Sequence, residues 1–415
     1  MSTDPKIRLL LEKGVSMPNP TTVEIGPEVA IERIAGEGVI FYSGTRIHGE
    51  KTLIMPGVKL GCEAPATILD CQLGPRVELK GGFFNRSVCL EKVNLGSSAQ
   101  VREGCLLEEE ANGAHAVGLK QTILFPFVTL GSLINFCDCF LAGGTSRKNH
   151  TEVGSSYIHF NYTPNQDKAT PSLVGDVPRG VMLNQPPIFL GGQGGIVGPT
   201  RIGYGTVVSA GTVYRGDCPE GGKLLGQMGN MAYEVNFHMG FYGDIRRRIH
   251  NNIIYLANLL ALRQWYILVR RPFFVARELG RELYAGALDT LELAIGERLS
   301  RFRALAEKME KSITISERIL SGTRRETLIR QKREFMEKWP AIEACFTDGS
   351  EAEREGQDRT SFLAAMEIRG QEHRDYLQTI QNLDEQTIKA GTDWLQNIVD
   401  TVSNRVLDCI PACRG

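Results

Sequence analysis

An aliphatic residue recurs at every sixth position near the middle of the chain, where Ile196, Ile202 and Val208 begin three consecutive six-residue units. A period of six fits neither the 3.6-residue repeat of a helix nor the two-residue repeat of an ordinary strand. It is typical of a parallel β-helix, in which each hexad lays one short strand on one wall of a triangular coil. Burial of each inward aliphatic side chain stabilises the folded chain by about 1.5–3 kcal/mol. The sequence therefore predicts a left-handed parallel β-helix built of hexapeptide repeats.

The hexad phase divides the chain into three parts. We predict a lead-in segment over residues 1–20, the β-helix over 21–235 and an α-helical domain over 236–415. In the last part Leu, Arg, Glu and Ala recur at three- and four-residue intervals, which indicates helices. The expected fold class is α+β in separate domains, although the helices could also pack around the β-helix. Breaks in the hexad phase predict loops that project from the coil at 108–112, 143–149 and 160–172. Helices are predicted at 6–13, 272–311, 316–339 and 359–407, with Gly322 as an interruption.

Composition limits the function classes. A formal net charge of -1 argues against bulk nucleic-acid binding. The sequence shows no membrane span, and the N-terminus lacks the pattern of a signal peptide, so we expect a cytoplasmic protein. We expect no metal site, because the closely spaced cysteine pairs 137/139 and 409/413 lack the second half that structural zinc requires. Cysteines 62, 71, 89 and 105 are expected to be buried in the core. The arginines of 246–248, 270–271 and 324–325 are expected to lie on solvated faces.

The loops between hexads suggest a relative. The run from Val153 to Tyr162, Val-Gly-Ser-Ser-Tyr-Ile-His-Phe-Asn-Tyr, is followed by Lys168. It resembles the Ile-Gly-Ala-Gly-Thr-Ile-Thr-x-Asn-Tyr…Lys segment in the acetyltransferase domain of bacterial bifunctional N-acetylglucosamine-1-phosphate uridyltransferase/glucosamine-1-phosphate acetyltransferase. Val101-Arg-Glu-Gly resembles that domain's Leu-Arg-Pro-Gly, and the resemblance covers about residues 25–215. The family's Gly-rich nucleotidyltransferase segment has no counterpart here, so uridylyl transfer is not expected.

The resemblance implies a set of site residues, a co-substrate and an assembly. Acetyl-CoA would be the acyl donor, the acceptor would be a sugar phosphate or nucleotide sugar, and the protein would be a homotrimer with its sites in the clefts. The implied acceptor-binding residues are Arg102, Lys120, Asn161, Tyr162 and Lys168, and the implied coenzyme contacts are Ser155, Gly192 and Ala210.

The general base is the main departure from the family. In the family a histidine within Ala-Gly-His-Leu-Thr-Tyr takes the proton of the attacking amine, and histidine suits that task near neutral pH. The corresponding place falls near residues 136–139, which include no histidine. We predict His150 as the catalytic base, with His159 and His115 as further candidates and Asp138 as a weaker one.

Three functions from different classes therefore remain open. The leading hypothesis is an acetyl- or acyl-CoA-dependent N-acyltransferase acting on an amino sugar phosphate or a nucleotide-linked amino sugar, with a helical module for assembly or substrate gating. The alternative is a non-catalytic, trimeric sugar-nucleotide-binding or scaffold protein. A γ-class carbonic anhydrase is the third, but it needs histidines from successive coils around one zinc ion, and the histidines here are irregularly placed.

Overall fold

The parallel strands of a β-solenoid form the first half of the protein. The computed structural model describes residues 4–159, 163–165, 168–227, 234–349, 356–372 and 375–414. Ten strands stack in register to form what we call the first wall. Their ranges are Ile40–Phe41, Lys59–Leu60, Glu78–Leu79, Asn94–Leu95, Asn112–Gly113, Thr129–Leu130, Glu152–Val153, Phe189–Leu190, Val207–Val208 and Leu224–Leu225.

The other two walls belong to a single 16-stranded sheet. Two long strands, Val117–Leu124 and Ile134–Leu141, pass from the second wall to the third and join them. The second wall also contains Glu24–Ile25, Arg46–His48, Ala66–Leu69, Gly82–Asn85, Ala99–Val101, Tyr157–His159, Gly195–Val197 and Val213–Tyr214. The third contains Leu53–Ile54, Gln72–Leu73, Ser87–Cys89, Cys105–Leu107, Ser172–Val174 and Thr200–Ile202, and a separate antiparallel hairpin pairs Gly144–Ser146 with Asn149–His150.

The coil register follows from the hexads. Val101 pairs with Leu119, a step of 18 residues (119 − 101) or three hexads. The inward side chains of each wall are buried, as predicted from the aliphatic repeat. Left-handed backbone occurs at many of the turns between walls, for example at Gln121 and Asp138 where the second wall meets the third, which we call the second corner. The predicted parallel β-helix is thus confirmed by the strand pairing.

Eleven α-helices are present among the described residues. Two of them belong to the first half of the chain, α1 (Pro5–Glu12) and α2 (Val177–Gly180). The remaining nine are α3 (Arg246–Trp265), α4 (Arg271–Val275), α5 (Gly280–Glu307), α6 (Met309–Ile319), α7 (Gly322–Glu337), α8 (Trp339–Thr347), α9 (Gln357–Glu372), α10 (Tyr376–Gln381) and α11 (Glu385–Cys409). A π-helical segment, Tyr266–Arg270, joins α3 to α4, and 3-10 turns occur at Pro20–Thr22, Ile31–Arg33 and Pro411–Cys413.

The long helices that the sequence predicts are interrupted. Leu279 adopts left-handed backbone, with φ 57°, and separates α4 from α5, so the expected helix over 272–311 is in fact two helices and a third begins at Met309. Gly322, with φ 67°, begins α7 after the break that the sequence placed there. The expected helix over 359–407 falls into α9, α10 and α11, whose last two members begin at the side-chain caps Asp375 and Asp384.

The helices pack along the solenoid and share one hydrophobic core with it. Polar groups complete the contact: Asn258 of α3 accepts a hydrogen bond from the Val177 amide at 2.8 Å, and Asn252 donates to the Ala169 carbonyl at 2.9 Å. Of the two arrangements considered from the sequence, the helices therefore adopt the one in which they pack against the β-helix.

This packing overturns three expectations. Glu108, expected in a projecting loop, is buried and accepts a hydrogen bond from the Tyr266 hydroxyl. Arg270, expected on a solvated face, is 1% exposed because it pairs with Glu109 under the aromatic ring of Tyr376. Cys62, expected in the core, is exposed, whereas the other three cysteines of that set are buried.

One helical run is apolar enough to cross a membrane by length and composition. It is Arg246–Val275, with a mean hydropathy of 1.2 in its 18-residue window. Because 78% of that window is buried against the rest of the chain, it has the character of a core helix.

Candidate active site

A column of outward-facing side chains follows the edge of the second wall. Strand pairing aligns Lys120 with Cys137, and the residues before them, Leu119 and Phe136, are likewise paired and buried. Since successive side chains on a strand point to opposite faces, the following residues point outward. The same register places Arg102 one coil before Lys120 and His159 one coil after Cys137. Four titratable side chains are thus stacked at the spacing of β-strands, about 4.8 Å per coil.

Glu103 lies between the two cations of this column. Its carboxylate is 2.9 Å from the Lys120 ammonium and 3.9 Å from the Arg102 guanidinium. Burial raises the pKa of Glu103, but the hydrogen bond from Lys120 and the two positive charges prevail, so the pKa is lowered overall. Glu103 is therefore ionised at neutral pH, and this end of the column carries one positive charge in excess.

Asp138 occupies the second corner beside the column. Its side chain is 10% exposed and its backbone is left-handed, with φ 57°. Arg298 of α5 donates a 2.8 Å hydrogen bond to Asp138 and a 3.0 Å hydrogen bond to the Lys168 carbonyl. Burial raises the pKa of Asp138, and the charge of Arg298 opposes that rise. A side chain from the helical part of the chain thus reaches the edge of the column.

His159 is the histidine that this arrangement brings into the site. It ends the strand Tyr157–His159 and is half-buried. Burial lowers its pKa, while the carboxylate of Asp138 acts in the opposite direction. The neutral imidazole, which can accept a proton, is therefore the prevailing form at neutral pH.

Cys137 belongs to the stretch 136–139, near which the resemblance locates the base. Burial, with a further contribution from Asp138, raises the pKa of its thiol. A protonated thiol is a poor nucleophile and a poor base. Cys137 thus forms part of the wall of the site, and its neighbour His159 has the better chemistry for proton transfer.

The sequence-predicted acceptor residues are only partly brought together. Arg102 and Lys120 lie in the column, whereas Lys168 is exposed and reaches the second corner through its main chain. Asn161 and Tyr162 lie outside the described residues. The site also contains Glu103 and Arg298, which sequence reasoning missed.

His150, the predicted base, lies elsewhere. It belongs to the antiparallel hairpin, and its Nδ1 is 2.9 Å from the Arg147 carbonyl. Arg147 in turn donates to the carbonyls of Glu110 and Phe127, which lie where the third wall meets the first. The hairpin thus occupies a different corner of the coil from the column.

The three predicted coenzyme contacts gather at yet another corner, between the first and second walls. The amide of Gln193 donates to the Ser155 carbonyl, and the amide of Gly211 donates to the Gly192 carbonyl at 2.9 Å. Space is tight here, because a Cβ added to Gly191 would lie 2.3 Å from the Ala210 nitrogen. Ser155, Gly192 and Ala210 therefore lie one above another on successive coils.

One sequence signal could have revealed Arg298. It falls within the apolar stripe of α5, between Ile295 and Phe302, where a charged residue is buried only if it is paired. No comparable signal distinguishes His159 from the other histidines. Among the described residues, no group of three His, Cys, Asp or Glu side chains is placed to hold a metal ion.

Comparisons with known proteins give distant relatives. No family model matches the chain. Among curated proteins, the bifunctional protein GlmU of Thermotoga maritima is 28% identical over 230 residues, which is 55% of this chain and 46% of that protein. GlmU of Fervidobacterium nodosum is 28% identical over 222 residues, 52% of this chain and 43% of that protein. GlmU of Carboxydothermus hydrogenoformans is 26% identical over 216 residues, 52% and 43% of the two chains.

The chain thus spans about half the length of the curated relatives it matches. The resemblance noted in the sequence is confirmed as a distant homology. A solved structure of LpxA from Acinetobacter baumannii is 14% identical and covers 49% of this chain and 67% of that chain, with a TM-score of 0.16. That score is too low to bear on fold or function.

Proposed function

Because the chain is a distant homologue of the bifunctional GlmU proteins, we propose that its solenoid is an acyl-CoA-dependent N-acyltransferase. The acceptor would be an amino sugar phosphate or a nucleotide-linked amino sugar, and the donor acetyl-CoA. The observation that carries the proposal is the column at the second wall. It places a half-buried histidine with a lowered pKa on the same edge as Arg102 and Lys120.

In the proposed reaction His159 is the general base. The acceptor amine attacks the thioester carbonyl, and His159 takes the proton that the nitrogen loses. The tetrahedral intermediate collapses as the C–S bond breaks, and the leaving thiolate takes that proton from the His159 imidazolium to become free coenzyme A. The new amide and the free thiol balance the thioester and the amine that were consumed. A positioned base of this kind contributes about 10²–10⁴-fold to the rate.

The cations of the column would bind the acceptor's phosphate. A guanidinium offers a planar pair of donors and an ammonium offers a point charge, and both suit phosphate oxygens. Since Glu103 already pairs with Lys120, a phosphate would share these cations with an ionised carboxylate. Asn161, Tyr162 and Lys168 complete the proposed acceptor set because they belong to the Asn-Tyr segment that resembles the family.

The donor would lie along the corner of Ser155, Gly192 and Ala210, where small residues let the pantetheine arm approach the backbone. This corner and the column occupy different edges of one coil. We therefore propose a homotrimer, in which the donor corner of one subunit faces the column of its neighbour. The position of His150 at the remaining corner supports His159 as the base in its place.

The direct test is thiol release from acetyl-CoA by the full-length protein, with a panel of acceptors led by glucosamine-1-phosphate and including nucleotide-linked amino sugars. Longer acyl-CoA donors, assayed in parallel with acetyl-CoA, identify the acyl group that is transferred. The proposal expects release that requires an acceptor and saturates with it. Saturable acceptor binding without release from any donor would refute the enzyme and support the non-catalytic binding protein.

A further inference from the structure

We infer that Arg298 is a positioning residue for acyl transfer: a side chain of the helical region holds the ionised carboxylate of Asp138 beside His159. The inference rests on the proposed function. It also gives the helical region a role within the site, since α5 borders the column that belongs to the solenoid.

The first support is the geometry of Arg298. Its side chain is 3% exposed, and its guanidinium contacts two groups of the solenoid, the carboxylate of Asp138 at 2.8 Å and the carbonyl of Lys168 at 3.0 Å. These groups lie on either side of the segment that carries the Asn-Tyr pair in the sequence. One side chain thus holds the corner before that segment and the chain just after it.

The second support is the conformation of Asp138. Its backbone is left-handed, with φ 57°, as it is at the equivalent corner residue Gln121 one coil earlier. The Arg298 hydrogen bond fixes the direction of the carboxylate at that position. Because buried charges are stable only when they are paired, Arg298 is also what allows Asp138 to remain ionised.

The charges around Asp138 come from several elements. Glu297, Arg298 and Arg301 face it from α5, Tyr255 faces it from α3, Lys120 from the neighbouring coil and His159 from the next one. Of these groups, Arg298 donates a hydrogen bond of 2.8 Å to the carboxylate. When Arg298 is removed, burial favours the neutral acid form of Asp138, so that Asp138 no longer acts on His159 as an anion.

The test follows the imidazole of His159 by NMR titration in the full-length protein, with His159→Gln to assign its signal. We compare Asp138→Asn, Arg298→Met, the double variant Asp138→Asn/Arg298→Met and the control Arg303→Met. Arg303 lies on the same helix but is exposed and pairs with Glu343 of α8, away from the corner. This titration needs no substrate, so it remains informative even if the protein transfers no acyl group.

The expected result is that both single variants shift the His159 midpoint to lower pH, because each removes the anion that raises its pKa. The double variant should shift it no further, and the control should not shift it. If Arg298→Met lowers only the melting temperature and leaves the midpoint unchanged, Arg298 is a structural residue and the inference is wrong. Should Arg298→Met fail to fold, Arg298→Lys decides: it keeps the charge and should keep the wild-type midpoint.

A second readout connects Arg298 to catalysis. In acceptor-dependent thiol release we expect Arg298→Met to lower kcat by about 100-fold, the cost of a misplaced catalytic group. The KM for acyl-CoA should stay unchanged, because the proposed donor corner is elsewhere. A shifted His159 midpoint with wild-type kcat would refute the positioning role. Absence of release by the wild-type protein would refute the proposed function itself, a separate outcome.

Discussion

Arg270→Met should strongly destabilise the contact between the helices and the solenoid. Arg270 donates hydrogen bonds of 3.1 and 2.6 Å to Glu109, and its guanidinium lies 3.7 Å from the centre of the Tyr376 ring. The Arg270 side chain is 1% exposed and that of Glu109 14%, so little water reaches the carboxylate that loses its partner. Breaking a buried ion pair by removing one partner costs about 3–5 kcal/mol, and we expect a loss of that size.

The assay is urea unfolding followed by tryptophan fluorescence and circular dichroism. Trp265 is a suitable reporter because its indole donates a 3.0 Å hydrogen bond to Tyr376, the residue whose ring stacks on the Arg270 guanidinium. The matched control is Arg277→Met, which removes another arginine–glutamate pair between helices and solenoid, at 2.5 Å from Glu91. Arg277 is 38% exposed and Glu91 keeps Arg76 as a partner, so we expect a loss of about 0–1 kcal/mol. Equal losses in the two variants would refute the importance we give to burial.

Two further predictions concern pH and packing. Burial raises the pKa of Glu108 to about 7 despite the nearby charge of Arg270, which is above its ordinary value of 4.5. The contribution of protonated Glu108 to the free energy of unfolding is therefore fully present below about pH 4.5 and is lost as the pH rises through 7. The melting temperature of the wild type should fall relative to that of Glu108→Gln over that range. Parallel pH curves would contradict this. In α5, Gly296→Ala meets no atom within 4 Å and should stabilise by about 1 kcal/mol. Gly191→Ala would place its Cβ 2.3 Å from the Ala210 nitrogen and should destabilise by about 1–3 kcal/mol, and thermal unfolding that ranks the two glycine variants in the opposite order would disprove the coil stacking.

The period of the hexads was sufficient to predict the solenoid, because a parallel coil imposes its repeat directly on the sequence. Ile196, Ile202 and Val208 are all buried, as that repeat requires. Helix boundaries were less predictable, since the breaks depend on single residues such as Leu279, whose left-handed backbone no propensity would suggest.

The residues of the candidate site could be predicted from the sequence only in part. Arg102 and Lys120 were predicted because the resemblance to the family implied them as acceptor-binding residues. Arg298 lies 160 residues from Asp138 along the chain, and local patterns do not indicate that the two meet. The same holds for Arg270 and Glu109, 161 residues apart. Long-range pairs between the solenoid and the helices are set by packing, and for that reason the sequence alone gave the wrong environment for Arg270.

The most direct measurement of the central claim compares two histidine variants in thiol release from acyl-CoA, with whichever acceptor the wild type uses. We predict that His159→Gln lowers kcat by about 10²–10⁴-fold, whereas His150→Gln keeps the wild-type rate. The acidic limb of the wild-type pH profile should lie below pH 6.5, since the pKa of His159 is lowered from that value. Loss of activity in His150→Gln with an active His159→Gln would contradict the role of His159 and identify the hairpin residue His150 as the base.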